Sequence, residues 1–310
     1  MLALPRWPPF SDKARPMPDT FQPLDVPRDF VTSRTQQLLS SAPRLKCVLL
    51  TNDDGIDAPG LAVMTDIAAQ IADEVWVVAP ETDQSGTSHS VSLHAPLRAI
   101  PRGERRFGVT GTPGDCVVMA QALMGGVKPD LVLSGVNRGG NLGVETVFSG
   151  TVGAAMTATL LGLRAFAMSQ TYRQPNPLSW DTARTLGADV VRQLLALPWQ
   201  PGVCLNVNFP AVRPEQAKGI RLTRQGAGLV RGMEVEVKED PRLVPYYWLR
   251  FRRNGEDALP DSETASVHEG YVSVTPLRFE RTDTDALDQL RRAFAESQTP
   301  GKPYPASTPS

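Results

Sequence analysis

Between Lys46 and about Pro210 the hydrophobic positions fall in short apolar runs that alternate with longer stretches of helical spacing. "KCVLL" reads as a strand, and Pro59 to Ala72 has helical periodicity with proline in the first turn, where its missing N–H does no harm. "EVWVVA" (Glu74 to Ala79) is a second strand and "FGVTG" a third. "TPGDCVVMAQALMG" predicts a helix from near Thr112 and Pro113 to Gly125 or Gly126. "LVLSG" (Leu131 to Gly135) is another strand, followed by a glycine-rich loop and the apolar helix "SGTVGAAMTATLLG". "AFAMS", a helix beginning near Ser179, and "VCLNVNF" continue the rhythm. Short apolar strands alternating with helices predict an α/β fold, a mainly parallel sheet with helices on both faces.

Past about Pro210 the pattern changes. "RLTRQG", "MEVEVKED", "YYWLRF" and "GYVSVTPL" are strand-like with no long helix between them, and Asp283 to Ser297 reads as a closing helix. Before Lys46, "PRWPPFSDKARPMPDTFQPLDVPRD" is too rich in proline for a helix or a central strand. The chain therefore divides into a proline-rich, flexible extension (1–44), an α/β core (45–210), a β-rich extension that is either an added lobe or arms reaching to another subunit (211–281), and a C-terminal helix and tail (282–310).

Composition changes this picture little. Hydrophobic residues make up 41% and charged residues 21%, ordinary values for a globular chain, so disorder is not the default. A formal net charge of −1 offers no footprint for polymeric nucleic acid or a membrane surface, though it leaves room for a small phosphorylated ligand. Cys47, Cys116 and Cys204 match no metal spacing and read as buried free thiols. With no apolar span of membrane length and no secretory signal pattern, the expected location is cytoplasmic.

The candidate chemistry comes from the strand ends. In open parallel sheets ligands bind beyond the carboxyl ends of the strands. After "KCVLL" stand Asn52, Asp53, Asp54 and Gly55; after "EVWVVA" comes a loop with Ser85, Ser88, His89 and Ser90; after "LVLSG" come Asn137 and Asn141. An isolated "NDDG" is also what an Asx-turn with a helix cap looks like. With three loops converging, a divalent cation is the better account, and oxygen donors suit Mg²⁺ or Mn²⁺ better than zinc. Ser149, Gly150 and Thr151 open a helix whose unpaired N–H groups make an oxyanion seat, a role compatible with plain capping by Ser149. The dinucleotide fingerprint, the phosphate-loop lysine, the paired-aspartate phosphatase spacing and the nucleophile elbow are all missing from the sequence. What remains is a metal-assisted displacement on an anionic substrate, with water or a carboxylate as nucleophile.

These motifs resemble a known family, the SurE (stationary-phase survival protein) nucleotidases. "LLTNDDGIDAPGL", "VVAPETDQSGTSHSVSL", "GTPGDCV", "PDLVLSGVNRGGNLG", "SGTVGAAM" and "GYVSVTPL" stand in the family's order over roughly Lys46 to Leu277. The resemblance implies a Rossmann-like α/β core with a β-rich C-terminal extension, and a homodimer or homotetramer. It implies a phosphomonoesterase for nucleoside 5′- and 3′-monophosphates that depends on Mg²⁺, Mn²⁺ or another divalent ion. By motif position the metal ligands would be Asp53, Asp54, Ser85 and Asn137, with Asn141, Ser149, Gly150 and Thr151 around the phosphate. Asp53 would orient the attacking water or attack directly. A non-catalytic nucleotide- or metal-binding module and a phosphatase of other small phosphates, such as short polyphosphate, are the alternatives. The chain departs from the family pattern at Glu145, where aspartate is common, at Phe148, where a tyrosine precedes "SGTV", and at Thr157, where an acidic residue is frequent. The proline-rich extension has no counterpart in the typical member.

Overall fold

A computed structural model describes residues 44–173, 177–253 and 259–297. The expectation for the proline-rich extension lies outside these residues, Arg44 excepted. The first apolar run becomes Leu45–Thr51 (β1), whose last five residues are buried. It pairs in parallel with Ala72–Pro80 (β2) on one side and with Leu131–Arg138 (β5) on the other. Ala99–Gly103 (β3) and Arg106–Val109 (β4) extend the β2 side, and Ala165–Gln170 (β6) and Cys204–Phe209 (β7) extend the β5 side. Ile220–Leu222 (β8) and Val272–Leu277 (β11) complete a nine-stranded sheet in the order β3-β4-β2-β1-β5-β6-β7-β11-β8. All pairings from β4 to β7 are parallel, while β3 and β11 run antiparallel to β4 and β7.

Helices cover both faces, as the alternation predicts. On one face, Pro59–Ala69 (α1) and Asp181–Leu195 (α4) pack Leu61, Met64, Ile67, Ala183 and Val191 against Val48, Leu50 and Leu133. On the other, Pro113–Leu123 (α2) and Gly150–Leu160 (α3) pack Val117, Ala120, Val152 and Ala155 against Leu49, Val78, Val132 and Ala167. The three cysteines are all buried thiols. Among the described residues no helix is long and apolar enough to cross a membrane.

The region after Pro210 behaves in two ways. β8 and β11 join the main sheet, because their buried residues alternate with a polar row that continues from β7. Val230–Glu239 (β9) and Pro245–Arg253 (β10) instead form a separate antiparallel hairpin. A short helix, Glu263–Glu269 (α5), begins at Ser262, whose hydroxyl accepts from Ala265 N, and ends at Gly270 in the left-handed conformation. Sequence periodicity gives no sign of a helix this short. The helix Thr284–Ser297 (α6) belongs to a separate unit that begins at Arg278; it is amphipathic, with Leu290 and Phe294 exposed.

The chain winds outward from β1 to β2 and β4, then crosses to β5 and winds the other way. The switch point lies between β1 and β5, where a crevice opens beyond the strand ends. Gly60 lets α1 close against this place: a Cβ there would lie 1.9 Å from the Val136 carbonyl oxygen of β5. Gly60→Ala is expected to push α1 off β5 and lower stability by roughly 1–3 kcal/mol, read by denaturant unfolding; an unchanged midpoint would refute the close contact.

Candidate active site

Asp53 and Asp54 follow β1 after a single residue, Asn52, on the carboxyl side of the switch point. Local bonds shape their turn: Asn52 Nδ2 donates to Gly55 O at 2.8 Å, and Ile56 N donates to Pro80 O at 2.7 Å. Asp53 is buried, 4% exposed, and its Oδ1 accepts a short hydrogen bond from Thr151 Oγ1. Asp54 is half-buried, and its Oδ2 accepts from the backbone N of Arg138 at the end of β5 at 3.2 Å. The two carboxylates are thus tied to two different elements, one to the start of α3 and one to β5.

Both acids are held above the ordinary carboxylate range. Burial is the main cause for Asp53, which is pushed up to about 6; the Thr151 hydroxyl opposes the shift and the charge of Asp54 adds to it. Burial also leads for Asp54, against the Arg138 N–H, with Asp83 adding a like charge. Two like charges removed from water call for a cation.

The helix start lies against Asp53. A Cβ on Gly150 would sit 2.7 Å from Asp53 Cβ and 3.0 Å from Asp53 Oδ2, so only glycine allows this approach. Ser149 caps α3, its Oγ accepting from Val152 N at 3.1 Å, and Thr151 is fully buried. The Thr151 N–H also bonds the Asp53 carboxylate, so the helix start and its dipole, which favours an anion, lie directly against this acid.

The other sequence candidates fall into place to different degrees. Gln84 N donates to Asp53 O at 2.7 Å, which draws the loop after β2 to the aspartates; Ser85, one residue on, is exposed. Asn137 Nδ2 donates to Gly139 O at 2.9 Å, so Oδ1 is the Asn137 atom left to face a ligand. Asn141 is buried and turns inward, its Nδ2 donating to Ser169 Oγ at 2.9 Å. Ser88, at a left-handed φ of 58°, bonds Val147 O, and His89 lies with Nδ1 3.2 Å from Ser88 Oγ and Nε2 3.1 Å from Met156 Sδ. This loop therefore packs against the 3-10 turn Gly143–Val147 and α3.

Sequence reasoning missed the supports of Asn141. Its backbone N donates to Asn208 Oδ1 at 2.9 Å, and its O accepts from Asn206 Nδ2 at 2.8 Å. The signal was present in "LNVNF", where two asparagines two apart in a buried strand must share one face. The departures from the family pattern also acquire places. Glu145 pairs with Arg253 Nε at 2.8 Å, and the Phe148 and Phe251 rings stand 5.2 Å apart, both contacts reaching β10.

The donor chemistry fits a hard divalent cation: two carboxylates, an amide oxygen and a hydroxyl on neighbouring loops. Among the described residues no group of three or more His, Cys, Asp or Glu is placed to hold a metal, which leaves neutral oxygens to complete the set.

Comparison with known proteins identifies the family of the chain. The sequence model of the family described as "Survival protein SurE" matches residues 48–231. The chain is 57% identical over 253 residues to "5'-nucleotidase SurE 1" of Burkholderia lata, covering 81% of this chain and 98% of that one. It is 46% identical over 252 residues to "5'-nucleotidase SurE" of Methylobacterium radiotolerans, covering 80% and 99%. The solved SurE protein from Aquifex aeolicus superposes with a TM-score of 0.68 at 34% identity, covering 80% of this chain and 99% of that chain.

The raised Asp53 carboxyl has a consequence for stability. Its folded pKa, about 6, lies above the ordinary carboxylate value of 3.8, so the folded state binds the extra proton between these values. In metal-free protein this group's contribution is full below about pH 4 and falls as pH rises through about 6. Asp53→Asn is therefore expected to raise the metal-free melting temperature at pH 7.5 and to flatten its pH dependence between pH 4 and 6. Thermal melts in chelator test this, and a lower melting temperature at pH 7.5 would count against a buried, uncompensated charge.

Proposed function

The chain belongs to the SurE family, and from that premise we propose that it is a divalent-metal-dependent 5'-nucleotidase that hydrolyses nucleoside 5′- and 3′-monophosphates to nucleoside and phosphate. The observation that carries this reading is the contact of Asp53 with Thr151 and Gly150. A carboxylate pair and an anion-seeking helix start occupy one crevice. The pair attracts a cation, the helix start attracts a phosphate, and the two ligands neutralise each other.

In this reading Asp53, Asp54, Ser85 and Asn137 hold a Mg²⁺ or Mn²⁺ ion. Asn141, Ser149, Gly150 and Thr151 surround the phosphoryl group. When bound, the cation supplies Lewis-acid polarisation and offsets charge on the phosphoryl oxygens. The protein's own contribution is orientation. The Thr151 hydroxyl and the backbone N–H groups of Asp53 and Thr151 hold the Asp53 carboxylate, and the Arg138 N–H fixes one oxygen of Asp54. The first-turn N–H groups of α3 are in place before the reaction and need no reorganisation as charge spreads over the phosphoryl oxygens.

The same reading extends to assembly. In the hairpin, Met233, Val235 and Val237 pair with Phe251, Leu249 and Tyr247, so one face is apolar. Val235 is 58% exposed and Leu249 70% exposed. Two strands alone are marginal in water, and so long an exposed apolar face calls for a cover. A second copy of the chain provides it, giving a homodimer or homotetramer.

Two measurements test these statements. Purified protein with Mn²⁺ should release phosphate from AMP, and Asp53→Asn should abolish that release while raising metal-free stability as above. Tight AMP binding without release would favour a non-catalytic module, and a preference for short polyphosphate in the same panel would favour a different phosphatase. Light scattering should give at least a dimer at micromolar concentration, and Val235→Lys with Leu249→Lys should shift it toward monomer. A wild-type monomer would refute the assembly.

A further inference from the structure

The 3-10 turn Gly143–Val147 joins Asn141 to the helix start at Ser149, so its placement sets the spacing between these two parts of the site. The first residue of the turn is held from far along the chain. Gly143 N donates to Glu263 Oε1 at 2.6 Å, across 120 positions of sequence. Gly143 O accepts from Gln225 Nε2 at 2.8 Å, and the same amide donates to Thr146 Oγ1 at 2.8 Å. Both main-chain groups of one residue are thus bound by side chains from the C-terminal third.

Glu263 is wholly buried, at 0% exposure, at the start of α5. Its Oε2 accepts from Thr275 Oγ1 of β11 at 3.2 Å, and that hydroxyl pairs with Thr223 Oγ1 at 2.7 Å. A carboxylate at that depth is costly, and it persists only where its partners are fixed and its hydrogen bonds are strong. Two of its partners are rigid: a sheet hydroxyl on Oε2 and the backbone of the site turn on Oε1. Helix α5 therefore holds the turn at a defined height over β11, beside the Asn206 and Asn208 side chains that hold Asn141.

We infer that Glu263 is a positioning residue that fixes Gly143 and, through the Gly143–Val147 turn, sets the distance between Asn141 and the Ser149–Thr151 helix start. The inference rests on the reading of that helix start as the phosphate seat. Glu263 touches no reacting atom, so its effect passes through the turn.

The test compares Glu263→Ala with Glu263→Gln in the full chain with Mn²⁺. Small displacements of donors aimed at the transition state cost rate more than ground-state binding. Glu263→Ala is expected to lower kcat for AMP by roughly tenfold or more with KM within about twofold of wild type. Glu263→Gln keeps an oxygen for the Gly143 N–H and is expected to retain most of the activity. Hydrogen exchange gives a readout independent of activity: Glu263→Ala should speed exchange in residues 141–151 while β1 and β5 keep their protection. Normal kcat in the alanine variant, an increase in KM alone, equal damage in both variants, or protection lost evenly over the whole sheet would each overturn the inference. If the alanine variant does not fold, Gln225→Ala carries the test: the same local rise in exchange supports the inference, and unchanged exchange at 141–151 overturns it. A wild-type chain that releases no phosphate would sink the functional reading, and the exchange pattern would still decide the role of Glu263.

Discussion

Asp53 places a carboxylate almost out of water where β1 ends, beside a second acid and against the first turn of α3. That burial constrains its surroundings. The helix must begin with glycine at position 150, because a Cβ would strike the aspartate. A hydroxyl must follow at Thr151 to bind the inner carboxylate oxygen. The neighbouring acid needs its own donor, and the Arg138 N–H across the switch point supplies it. The Arg138 guanidinium pulls the Asp54 pKa down, but burial outweighs it. The protein alone leaves both acids with raised pKa values, a state that suits a site completed by a cation.

Long-range contacts then determine how the crevice keeps its shape. The strands β1 and β5 are fixed by the core, but their loops are not, and loops in an open parallel sheet have no intrinsic geometry. Here the C-terminal third reaches back to them. Asn206 and Asn208 hold Asn141, Gln225 and Glu263 hold Gly143, and β8 and β11 extend the same sheet so that these side chains share a rigid base. The region read from sequence as an addition to the core is in part the support of the site.

Much of this was legible in the residues and part of it was not, for physical reasons. The α/β alternation was clear because the central strands β1, β5 and β6 are apolar runs buried on both faces and helices α2 and α3 carry start signals at Thr112-Pro113 and Ser149-Gly150. The aspartates and Asn137 were legible as polar residues at strand ends, and the structure places them at the carboxyl ends of β1 and β5. Edge strand β3, "AIPRG", escaped notice because it is short, contains proline and is mostly exposed. Helix α5 escaped because seven residues show less than two full turns of periodicity. Glu263 was out of reach for another reason: a glutamate in "DSETASVHEG" looks like a solvated first-turn acid, and only the fold brings it to Gly143.

The departures from the family pattern fit the same logic. Phe148 lacks the hydroxyl of a tyrosine, and its ring packs at 5.2 Å on Phe251 of the hairpin. Glu145 is one methylene longer than aspartate and reaches Arg253 two residues further along the same strand. Both changes sit on the turn that Glu263 anchors, and both face β10. The turn is thus held on one side by the buried carboxylate and on the other by the foot of the hairpin. A hairpin with an exposed apolar face does not hold a fixed position by itself, because two strands bury too little surface. Phe251 and Arg253, at the foot of that hairpin, contact the segment between Asn141 and the start of α3. The hairpin and the start of α3 thus meet at one short segment, and two of the three departures from the family pattern, Glu145 and Phe148, make that contact, while Thr157 stays within α3 with its Oγ1 donating to Gly153 O.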